Sequence, residues 1–327
     1  MIMVSQEFLI GLYDMKVLSL FDGMSCGRIA LDRAGIEVET YYASEIDKHA
    51  IKVTQENWPN TIQLGSVENW REWDIQWGSI DLLIGGSPCQ GFSFAGKQLA
   101  FDDPRSKLFF VYVDILNHIR SVNPSVKFML ENVKMKKEYL DIISQTLGVE
   151  PVFINSALVS AQNRQRYYWA NWWFDQPEDK GIILADILEK ESDNFTFMSD
   201  KFVNRQSGRK CLRDDFTGKA KSLSSMEYVK NGRQGDYVLT MTPRGNNKGG
   251  LRALDGKTPS ITSNSWENNF HLTNNHKSYR KLTPIECERL QTVPDNYTNH
   301  VSNTQRYKML GNGWTVDVIA HIFEGLK

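Results

Sequence analysis

A regular alternation of apolar runs and amphipathic helical segments between residues 16 and 160 limits the possible folds of this chain more than any other feature. The run KVLSLFDG, from Lys16 to Gly23, ends in Asp-Gly, and the segment after it has its apolar residues at helical spacing. Four later runs, VETYYASEID, SIDLLIGGSP, VKFMLENV and EPVFINSAL, are each separated by a helical segment. Strands that alternate with helices of about 10–15 residues predict an α/β fold with a doubly wound, mostly parallel sheet.

Polar groups follow four of these predicted strands at the point where each strand ends. Asp22 follows the first strand, Glu45 the second, Cys89 the third and Glu131 the fourth. Ligands of parallel sheets bind beyond the carboxyl ends of the strands. We therefore expect these four groups to lie on one rim and to form a single site.

The turn FDGMSCG opens a helix directly after the first strand, so its glycines let a ligand approach the backbone and the free N–H groups of the helix. It lacks the GxGxxG spacing of dinucleotide sites. Glu45, about 20 residues further on, lies where an acid typically binds ribose hydroxyls. The two features together favour a cofactor that contains a nucleoside but no pyrophosphate, and a plain tight turn is the alternative.

Cys89 lies in GGSPCQGFSFAG, directly after a proline and among small residues. A nucleophilic thiol must be exposed and partly ionised, and a loop at a strand end offers that exposure. Most free cysteines are instead buried and inert, so the local sequence leaves both interpretations open. The four cysteines, Cys26, Cys89, Cys211 and Cys287, form no CxxC pair, which argues against a disulfide framework and a metal site.

Three further side chains are candidates for the same rim. Glu131 in LENV is either a proton donor beside Cys89 or an ordinary ion-paired residue. Arg164 and Arg166 in QNRQRYYWANW are two apart on a predicted strand, so we expect both to face the same side. Guanidinium groups near a nucleophile orient a carbonyl or a phosphate; the alternative is a surface strand that packs its aromatic residues inward.

The composition changes after about Trp173. From Phe195 to Asn275 the chain is rich in Gly, Asn, Ser, Thr and basic residues, and residues 196–281 carry 16 Lys and Arg against 7 Asp and Glu in a chain of net charge −1. This predicts a second, smaller β-rich loop domain with a basic face. We expect an N-terminal extension at 1–14, a large domain at 15–175 plus 305–327, and the small domain at 176–304, with Met15 as a possible initiator.

The C-terminal part returns to helical periodicity. KLTPIECERLQTVP predicts a helix with Thr283 as its cap and Pro284 in its first turn, and a final helix follows Gly311-Asn312-Gly313. No apolar run approaches the roughly 20 residues of a membrane span, and the N-terminus does not resemble a signal peptide. We therefore expect a cytoplasmic protein.

Six segments resemble, in order and spacing, the motifs of the cytosine-5 DNA methyltransferases. FDGMSCG is similar to their cofactor loop, GGSPCQGFS to their catalytic loop, ENV to their catalytic glutamate and QNRQRYYW to their Gln-x-Arg-x-Arg strand. RKLTPIECERLQTVPDNY and LGNGWTVDVIAHIF resemble the two closing motifs, the second in the form found in the animal de novo DNA methyltransferases. The resemblance covers about residues 15–175 and 279–327, and the basic segment between them lies where the family has its variable target-recognition domain.

This resemblance implies a Rossmann-like methyltransferase fold and a covalent mechanism. The Cys89 thiolate would add to carbon 6 of a cytosine flipped out of the DNA duplex, and carbon 5 would take a methyl group from S-adenosylmethionine (S-adenosyl-L-methionine). Glu131 would hydrogen-bond ring nitrogen 3 and the exocyclic amine. Arg166, with Arg164, would hold the carbonyl oxygen at position 2.

The resemblance also implies two sets of binding residues. Phe21 would stack on the adenine and Glu45 bind the ribose, while Ser66 stands where the family commonly has an acid. The expected cofactor residues are Phe21, Asp22, Gly23, Ser25, Glu45, Ile46, Ser66, Val67, Pro88, Leu108, Asn312, Gly313, Trp314 and Thr315. The candidates for DNA contacts are Gln90, Ser93, Lys97, Arg205, Arg209, Arg213, Arg233, Arg244 and Arg252, for which a solvated basic face is the alternative.

The implied partner is double-stranded DNA, bound by a monomer, with a cognate restriction endonuclease in a prokaryotic or phage-encoded restriction-modification system. A transfer-RNA cytosine-5 methyltransferase is an alternative, disfavoured by the large basic insert and by the missing Cys-Phe-Thr signature of that subfamily. An inactive DNA-binding relative is disfavoured because Cys89, Glu131 and Arg166 are all present. A nicotinamide-dependent dehydrogenase is disfavoured by the missing GxGxxG.

Overall fold

The computed structural model describes residues 14–88, 107–189, 238–241, 250–251, 257–261, 270–273 and 281–327. The strands are β1 Met15–Leu20, β2 Val38–Ser44, β3 Ile62–Gln63, β4 Leu82–Gly85, β5 Lys127–Val133, β6 Val152–Asn155, β7 Gln162–Asn163, β8 Gln165–Ala170, β9 Val238–Met241, β10 Gly250–Leu251, β11 Thr258–Pro259 and β12 Phe270–Thr273. The α-helices are α1 Cys26–Arg33, α2 Lys48–Asn57, α3 Lys107–Val122, α4 Lys137–Leu147, α5 Leu184–Ile187, α6 Pro284–Leu290, α7 Asn303–Asn312 and α8 Val316–Glu324.

A seven-stranded sheet in the order β3-β2-β1-β4-β5-β8-β6 forms the centre of the protein. Strands β1 to β5 pair in parallel, and β8 is antiparallel to both of its neighbours, β5 and β6. The order reverses direction between β1 and β4, as it does in a doubly wound sheet. The predicted α/β class with a mostly parallel sheet is therefore confirmed.

The middle residues of the central strands are mostly apolar because helices cover both faces of the sheet. Successive residues of a strand point to opposite faces, and in β1 Val17 packs with α1 and α8 on one side whereas Leu18 packs with α3 and α4 on the other. All of these strand residues are fully buried. The two helical layers leave only the strand ends open to a ligand.

The reversed direction of β8 decides which residues meet at the carboxyl edge. Because β8 runs against β5, its first residues lie beside the last residues of β5, with Arg166 paired to Val133 and Tyr168 to Glu131. A parallel β8 would have placed its arginine at the opposite edge. The reversal therefore brings a basic side chain to the edge where the other strands end.

Helix α6 begins as the sequence predicts. Thr283 is its N-cap, Pro284 occupies the first turn, and Thr283 and Glu286 form a reciprocal capping box. The helix packs into the core beside α1 and α8, with Leu290 fully buried. The predicted boundary at residue 304 therefore falls within a segment, 281–327, that shares the core of the large unit from Leu282 onwards.

The C-terminal region forms two helices where we predicted one. Gly311 and Asn312 are the last residues of α7, and the chain is extended at Gly313 before Thr315 begins α8. The predicted final helix after Gly311-Asn312-Gly313 is present as α8, and Gly311 and Asn312 themselves belong to the preceding helix, α7. Side chains from other elements satisfy the carbonyls at the end of α7, so the helix continues through Gly311 and Asn312.

Strands outside the central sheet are short. β10, β9 and β12 form a three-stranded antiparallel sheet, and β11 pairs in parallel with β7. Within the described ranges, no helix has both the length and the apolar character that crossing a membrane requires.

Candidate ligand site at the carboxyl edge of the sheet

A cavity of about 350 Å³ lies at the carboxyl edge of the sheet. Its walls come from the ends of β1, β2, β4 and β5, from the start of β8, and from α7 with the turn that follows it. Its volume falls within the range of about 300–1,000 Å³ that is typical of small-molecule sites. The strand ends that we expected to form one rim are together in this cavity, except for Cys89, which lies outside the described residues.

The turn after β1 forms one wall of the cavity. Phe21, Gly23 and Ser25 all have left-handed backbone angles, with φ of 57°, 60° and 61°. For Phe21 and Ser25 this conformation is strained, and it persists because neighbouring contacts hold the turn. The Ser25 hydroxyl donates to the carboxylate of Asp22 and lies 2.9 Å from the hydroxyl of Thr54 on α2.

Glu45 connects the ends of β1 and β2 through its carboxylate. Oε2 accepts a hydrogen bond of 2.8 Å from the amide of Gly23, and Oε1 accepts from the amides of Ile46 and Asp47 at 2.7 and 2.8 Å. A carboxylate has about four acceptor sites, so three amide donors leave capacity for one more. Glu45 is therefore a rigid acceptor in the cavity wall, suited to a hydroxyl group of a ligand.

Asp22 is a partly buried carboxyl group in the same wall. Burial raises its pKa to about 6, although hydrogen bonds from Ser19, Ser25 and Tyr41 oppose the shift. The Tyr41 hydroxyl donates to Asp22 Oδ1 over 2.8 Å. The carboxyl group holds the turn after β1 in place through these bonds.

An ion pair lies at the opposite wall, where β5 and β8 meet. Arg166 Nε is 2.7 Å from Glu131 Oε1, and the two side chains are only 15% and 11% exposed. Both line the cavity. A carboxylate and a guanidinium held side by side can bind a planar polar group through donors and acceptors of fixed direction.

Trp314 and Gly86 make the floor between the two walls. A Cβ atom at Gly86 would lie 2.8 Å from Trp314 Nε1 and 3.1 Å from Glu131 Oε2, so any larger residue there would force one of these groups to move. The indole of Trp314 therefore requires glycine at position 86. Gly27 at the start of α1 is also constrained, because a Cβ atom there would lie 2.5 Å from the Ile84 side chain.

Arg164 differs from Arg166 although both line the cavity. It precedes β8 and is 3% exposed, and its guanidinium donates to the main-chain oxygens of Ile261, Gly311 and Gly313. Burial, followed by the neighbouring charge of Arg166, lowers the pKa of Arg164 to about 9. We expected the two arginines to act side by side on one carbonyl. In the structure, Arg164 binds main-chain oxygens, whereas Arg166 lies against Glu131.

The expected cofactor residues divide into two groups. Eight line the cavity: Phe21, Asp22, Gly23, Glu45, Pro88, Asn312, Gly313 and Trp314. The others do not. The Ser25 hydroxyl donates to Asp22 within the turn after β1. Ile46 is 76% exposed, and Leu108 packs against the core on the α3 side of the sheet. Ser66 caps a 3-10 turn that begins at the buried Val67, and the Thr315 hydroxyl bonds to Gln291 and Ser156.

Several cavity residues were not among the expected ones. Helix α7 contributes Gln305, Lys308 and Met309, which lie on the same helical face as the expected Asn312 because they are spaced three or four residues apart. Lys308 Nζ bonds Asp47 Oδ2 over 2.8 Å and closes the cavity on the α2 side. Asn132 Nδ2 donates to Ser87 Oγ over 3.3 Å, which ties the end of β5 to the end of β4. The sequence shows the helical spacing of these residues, but it does not show which face of α7 lines the cavity.

The remaining candidates lie outside the described residues. These are the catalytic candidate Cys89 and the DNA-contact candidates Gln90, Ser93, Lys97, Arg205, Arg209, Arg213, Arg233, Arg244 and Arg252. Among the described residues, Cys26 and Cys287 are free and buried. Burial raises the pKa of the Cys26 thiol to about 12, which keeps it protonated. No cluster of His, Cys, Asp and Glu suited to a metal ion occurs in the described part of the chain.

The fold and the site together define a class of protein: a doubly wound α/β enzyme that binds a small ligand at the carboxyl edge of its sheet, next to a carboxylate–arginine pair. The sequence profile described as C-5 cytosine-specific DNA methylase matches residues 15–327. The chain belongs to the C-5 cytosine-specific DNA methylase family, and it is therefore an enzyme that uses a methyl donor and acts on DNA.

Individual relatives agree with this assignment. The chain is 30% identical to the Type II methyltransferase M1.ScrFI of Lactococcus lactis subsp. cremoris, over 94% of this chain and 77% of that protein. It is also 30% identical to the Type II methyltransferase M.NlaX of Neisseria lactamica, over 95% of this chain and 96% of that protein.

Two solved structures have the same fold. The first is the Entamoeba histolytica methyltransferase EhMeth, with a TM-score of 0.65 and 17% identity over 96% of this chain and 99% of that one. The second is the S. pombe Dnmt2 methyltransferase, with a TM-score of 0.60 and 16% identity over 94% of this chain and 97% of that one. At these identities the likeness concerns the fold alone.

Proposed function

We propose that this enzyme transfers the methyl group of S-adenosylmethionine to carbon 5 of a flipped-out cytosine in double-stranded DNA. One observation carries the proposal. The Glu45 carboxylate and the Phe21 ring line the same cavity as the ion pair between Glu131 and Arg166. The first arrangement suits a nucleoside cofactor, and the second suits the polar edge of a pyrimidine.

The residues of the β1 and β2 ends fit S-adenosylmethionine. The free acceptor capacity of Glu45 suits a ribose hydroxyl, and Phe21 offers a ring for the adenine. The narrow floor at Gly86 brings backbone close to the ligand without a side chain in the way. When bound, S-adenosylmethionine supplies an electrophilic methyl group, and these residues hold and orient it. Asn312, Gly313 and Trp314 complete this side of the cavity.

The pair on the other wall suits the cytosine. Glu131 would hold ring nitrogen 3 and the exocyclic amine, and Arg166 the carbonyl oxygen, so that charge which develops on the ring is stabilised. We assign Cys89 as the nucleophile: its thiolate adds to carbon 6, and the electron pair of the 5,6 double bond becomes available at carbon 5. After methylation, loss of the carbon 5 proton restores the double bond and expels the Cys89 thiolate.

We propose that residues 15–175 and 305–327 supply the catalytic unit and 176–304 the target-recognition unit, with α6 joined to the core of the former. The basic balance of residues 196–281 supports a contact with DNA phosphates, including Arg205, Arg209, Arg213, Arg233, Arg244 and Arg252. Gln90, Ser93 and Lys97 would contact DNA next to Cys89. The Type II names of the relatives support a role in protecting DNA from a cognate restriction endonuclease. We further propose that the enzyme is cytoplasmic and acts as a monomer, in a bacterium or encoded by a phage.

A methyl-transfer assay with labelled S-adenosylmethionine and unmethylated duplex DNA tests the proposal. We expect label in DNA, none after Cys89→Ala, and full transfer after Cys211→Ala, the matched control in the basic segment. Cys89→Ser should retain DNA binding in a mobility-shift assay. Label in transfer RNA instead of DNA, or undiminished transfer by Cys89→Ala, would overturn the proposal. Bisulfite sequencing of DNA from expressing cells then identifies the target sequence.

A further inference from the structure

We propose that Arg164 is a positioning residue that couples the segment 257–261 to the end of α7, and thereby couples DNA binding to binding of the methyl donor. The inference rests on the proposed function, because it takes the cavity as the S-adenosylmethionine site and residues 176–304 as the DNA-recognition unit. It separates Arg164 from Arg166, which lies against Glu131.

The first half of the argument concerns the C-terminus of α7. The last carbonyls of a helix have no partners within the helix and carry partial negative charge. Arg164 Nη2 donates to Gly313 O over 2.8 Å, and both Nη atoms lie 3.4 Å from Gly311 O. Gln291 Nε2 donates to Leu310 O over 2.6 Å. Arg164 therefore caps α7 directly before Trp314, where the backbone turns along the cavity wall.

The second half concerns the segment 257–261. Arg164 Nη1 donates to Ile261 O over 3.1 Å, and the Ile261 amide donates to Gln162 Oε1 over 3.3 Å. The backbone of Thr258 also pairs with β7, and its amide donates to Ala161 O over 2.7 Å. Both polar groups of the Ile261 backbone are thus held by side chains on either side of Asn163.

One guanidinium therefore joins a helix end in the cavity wall to a segment of the recognition unit. Among the described residues, the hydrogen bonds of its guanidinium go to main-chain oxygens, and Arg164 is 3% exposed. A displacement of Ile261 when DNA binds would change the support of Gly311 and Gly313. Coupling of this kind is reciprocal, so DNA would alter the affinity for the methyl donor and the donor would alter the affinity for DNA.

The substitution Arg164→Lys tests the coupling, because a lysine side chain keeps the positive charge but has no planar guanidinium to bind three carbonyls at once. The probe is S-adenosylhomocysteine, the product that carries no transferable methyl group, titrated by calorimetry with and without unmethylated duplex DNA. For Arg164→Lys we expect the Kd without DNA to rise about tenfold and the effect of DNA on Kd to disappear. Arg33→Lys is the matched control, because Arg33 pairs with Asp317 and does not line the cavity: we expect a normal Kd and a normal DNA effect. Arg166→Lys should instead lower kcat about 100-fold and leave the Kd without DNA unchanged.

The outcomes distinguish this inference from the proposed function. Wild-type protein that binds neither S-adenosylhomocysteine nor DNA overturns the proposed function itself. Wild-type protein that binds both, with a Kd that does not respond to DNA, overturns the coupling. An Arg164→Lys variant that loses kcat but keeps its Kd and DNA effect shows that Arg164 acts on the cytosine, and this overturns the positioning role.

A second variant keeps the test decisive if Arg164→Lys does not fold. Gln162→Met removes the acceptor for the Ile261 amide, together with the Gln162 Nε2 bonds to Leu290 O and Gln291 Oε1. It leaves the Arg164 bonds to Gly311 and Gly313, and the Gln291 bond to Leu310 O, in place. We expect a Kd for S-adenosylhomocysteine near that of the wild type without DNA, and a weaker DNA effect. An unchanged DNA effect in a folded Gln162→Met protein contradicts the coupling through Ile261.

Discussion

Asp22 is a titratable group that burial sets apart from an ordinary aspartate. Its pKa in the folded protein is about 6, against 3.8 for the unperturbed group. The folded state therefore binds this proton more tightly than the unfolded state does. The resulting stabilisation is fully present below pH 4 and is lost as the pH rises through about 6.

We expect Asp22→Asn to change the pH dependence of stability. As the pH rises from about 4 to 7, wild-type protein should lose about 2–3 kcal/mol relative to the variant, because only the wild type must ionise a buried carboxyl group. Urea unfolding at pH 4.5 and pH 7 measures this difference. Asp32→Asn, at an exposed position of α1, is the control for loss of a carboxylate. A difference between wild type and Asp22→Asn that is the same at both pH values would contradict the assignment.

Helices α6 and α7 are joined by a buried ion pair. Glu288 on α6 is fully buried, and Arg306 on α7, with a side chain 7% exposed, lies 3.0 Å from it. The amides of Asn296 and Thr298 donate to the same carboxylate over 2.7 and 2.9 Å. The cavity face of α7 is therefore positioned by a charged pair on its other side.

Removing one partner leaves the other charge buried without compensation. We expect Arg306→Met to lower the free energy of unfolding by about 3–5 kcal/mol, and Arg306→Met with Glu288→Gln to recover part of this loss. Lys136→Met, which breaks the exposed pair with Glu138, is the control and should change stability by less than about 1 kcal/mol. Chemical unfolding of the four proteins provides the comparison. Equal losses for the single and double variants would show that the buried charge is not the cause.

At the scale of the whole molecule, Lys257 connects parts of the chain that are distant in sequence. Its ammonium group donates to Ala157 O and Ser160 O over 2.7 and 3.1 Å and also to Ile182 O. Burial lowers the pKa of Lys257. These bonds hold the first residue of the segment 257–261 against the large unit, whereas Arg164 binds its last residue, Ile261.

We expect Lys257→Met to destabilise the protein by about 2–3 kcal/mol, because three carbonyls lose a charged donor. Lys180→Met is the matched control, since Lys180 forms a half-exposed ion pair with Asp317 and its loss should cost less than about 1 kcal/mol. Urea unfolding midpoints of the two variants test the difference. A Lys257→Met protein as stable as Lys180→Met would mean that the tether does not contribute to stability.

The elements that the sequence predicts correctly depend on neighbouring residues. Helix α6 starts at Pro284 because its cap, Thr283, and its capping partner, Glu286, lie within three positions of each other. The sequence also predicts the strands β1, β2 and β5, because period and turn residues are local signals. Asp22 and Glu45 follow the ends of β1 and β2, whereas Glu131 lies within β5, two residues before its end. These strand ends then share one edge because parallel pairing requires it.

By itself, then, the sequence determined the α/β class, the polar strand ends and the family motifs. Only the tertiary structure decided that β8 runs backwards, which places Arg166 against Glu131, and that Arg164 turns to a helix end 149 positions away in the chain. It also decided which face of α7 lines the cavity. The physical reason is that caps and periodicity act within a few residues, whereas the partners of a buried charge are chosen by how the finished layers pack.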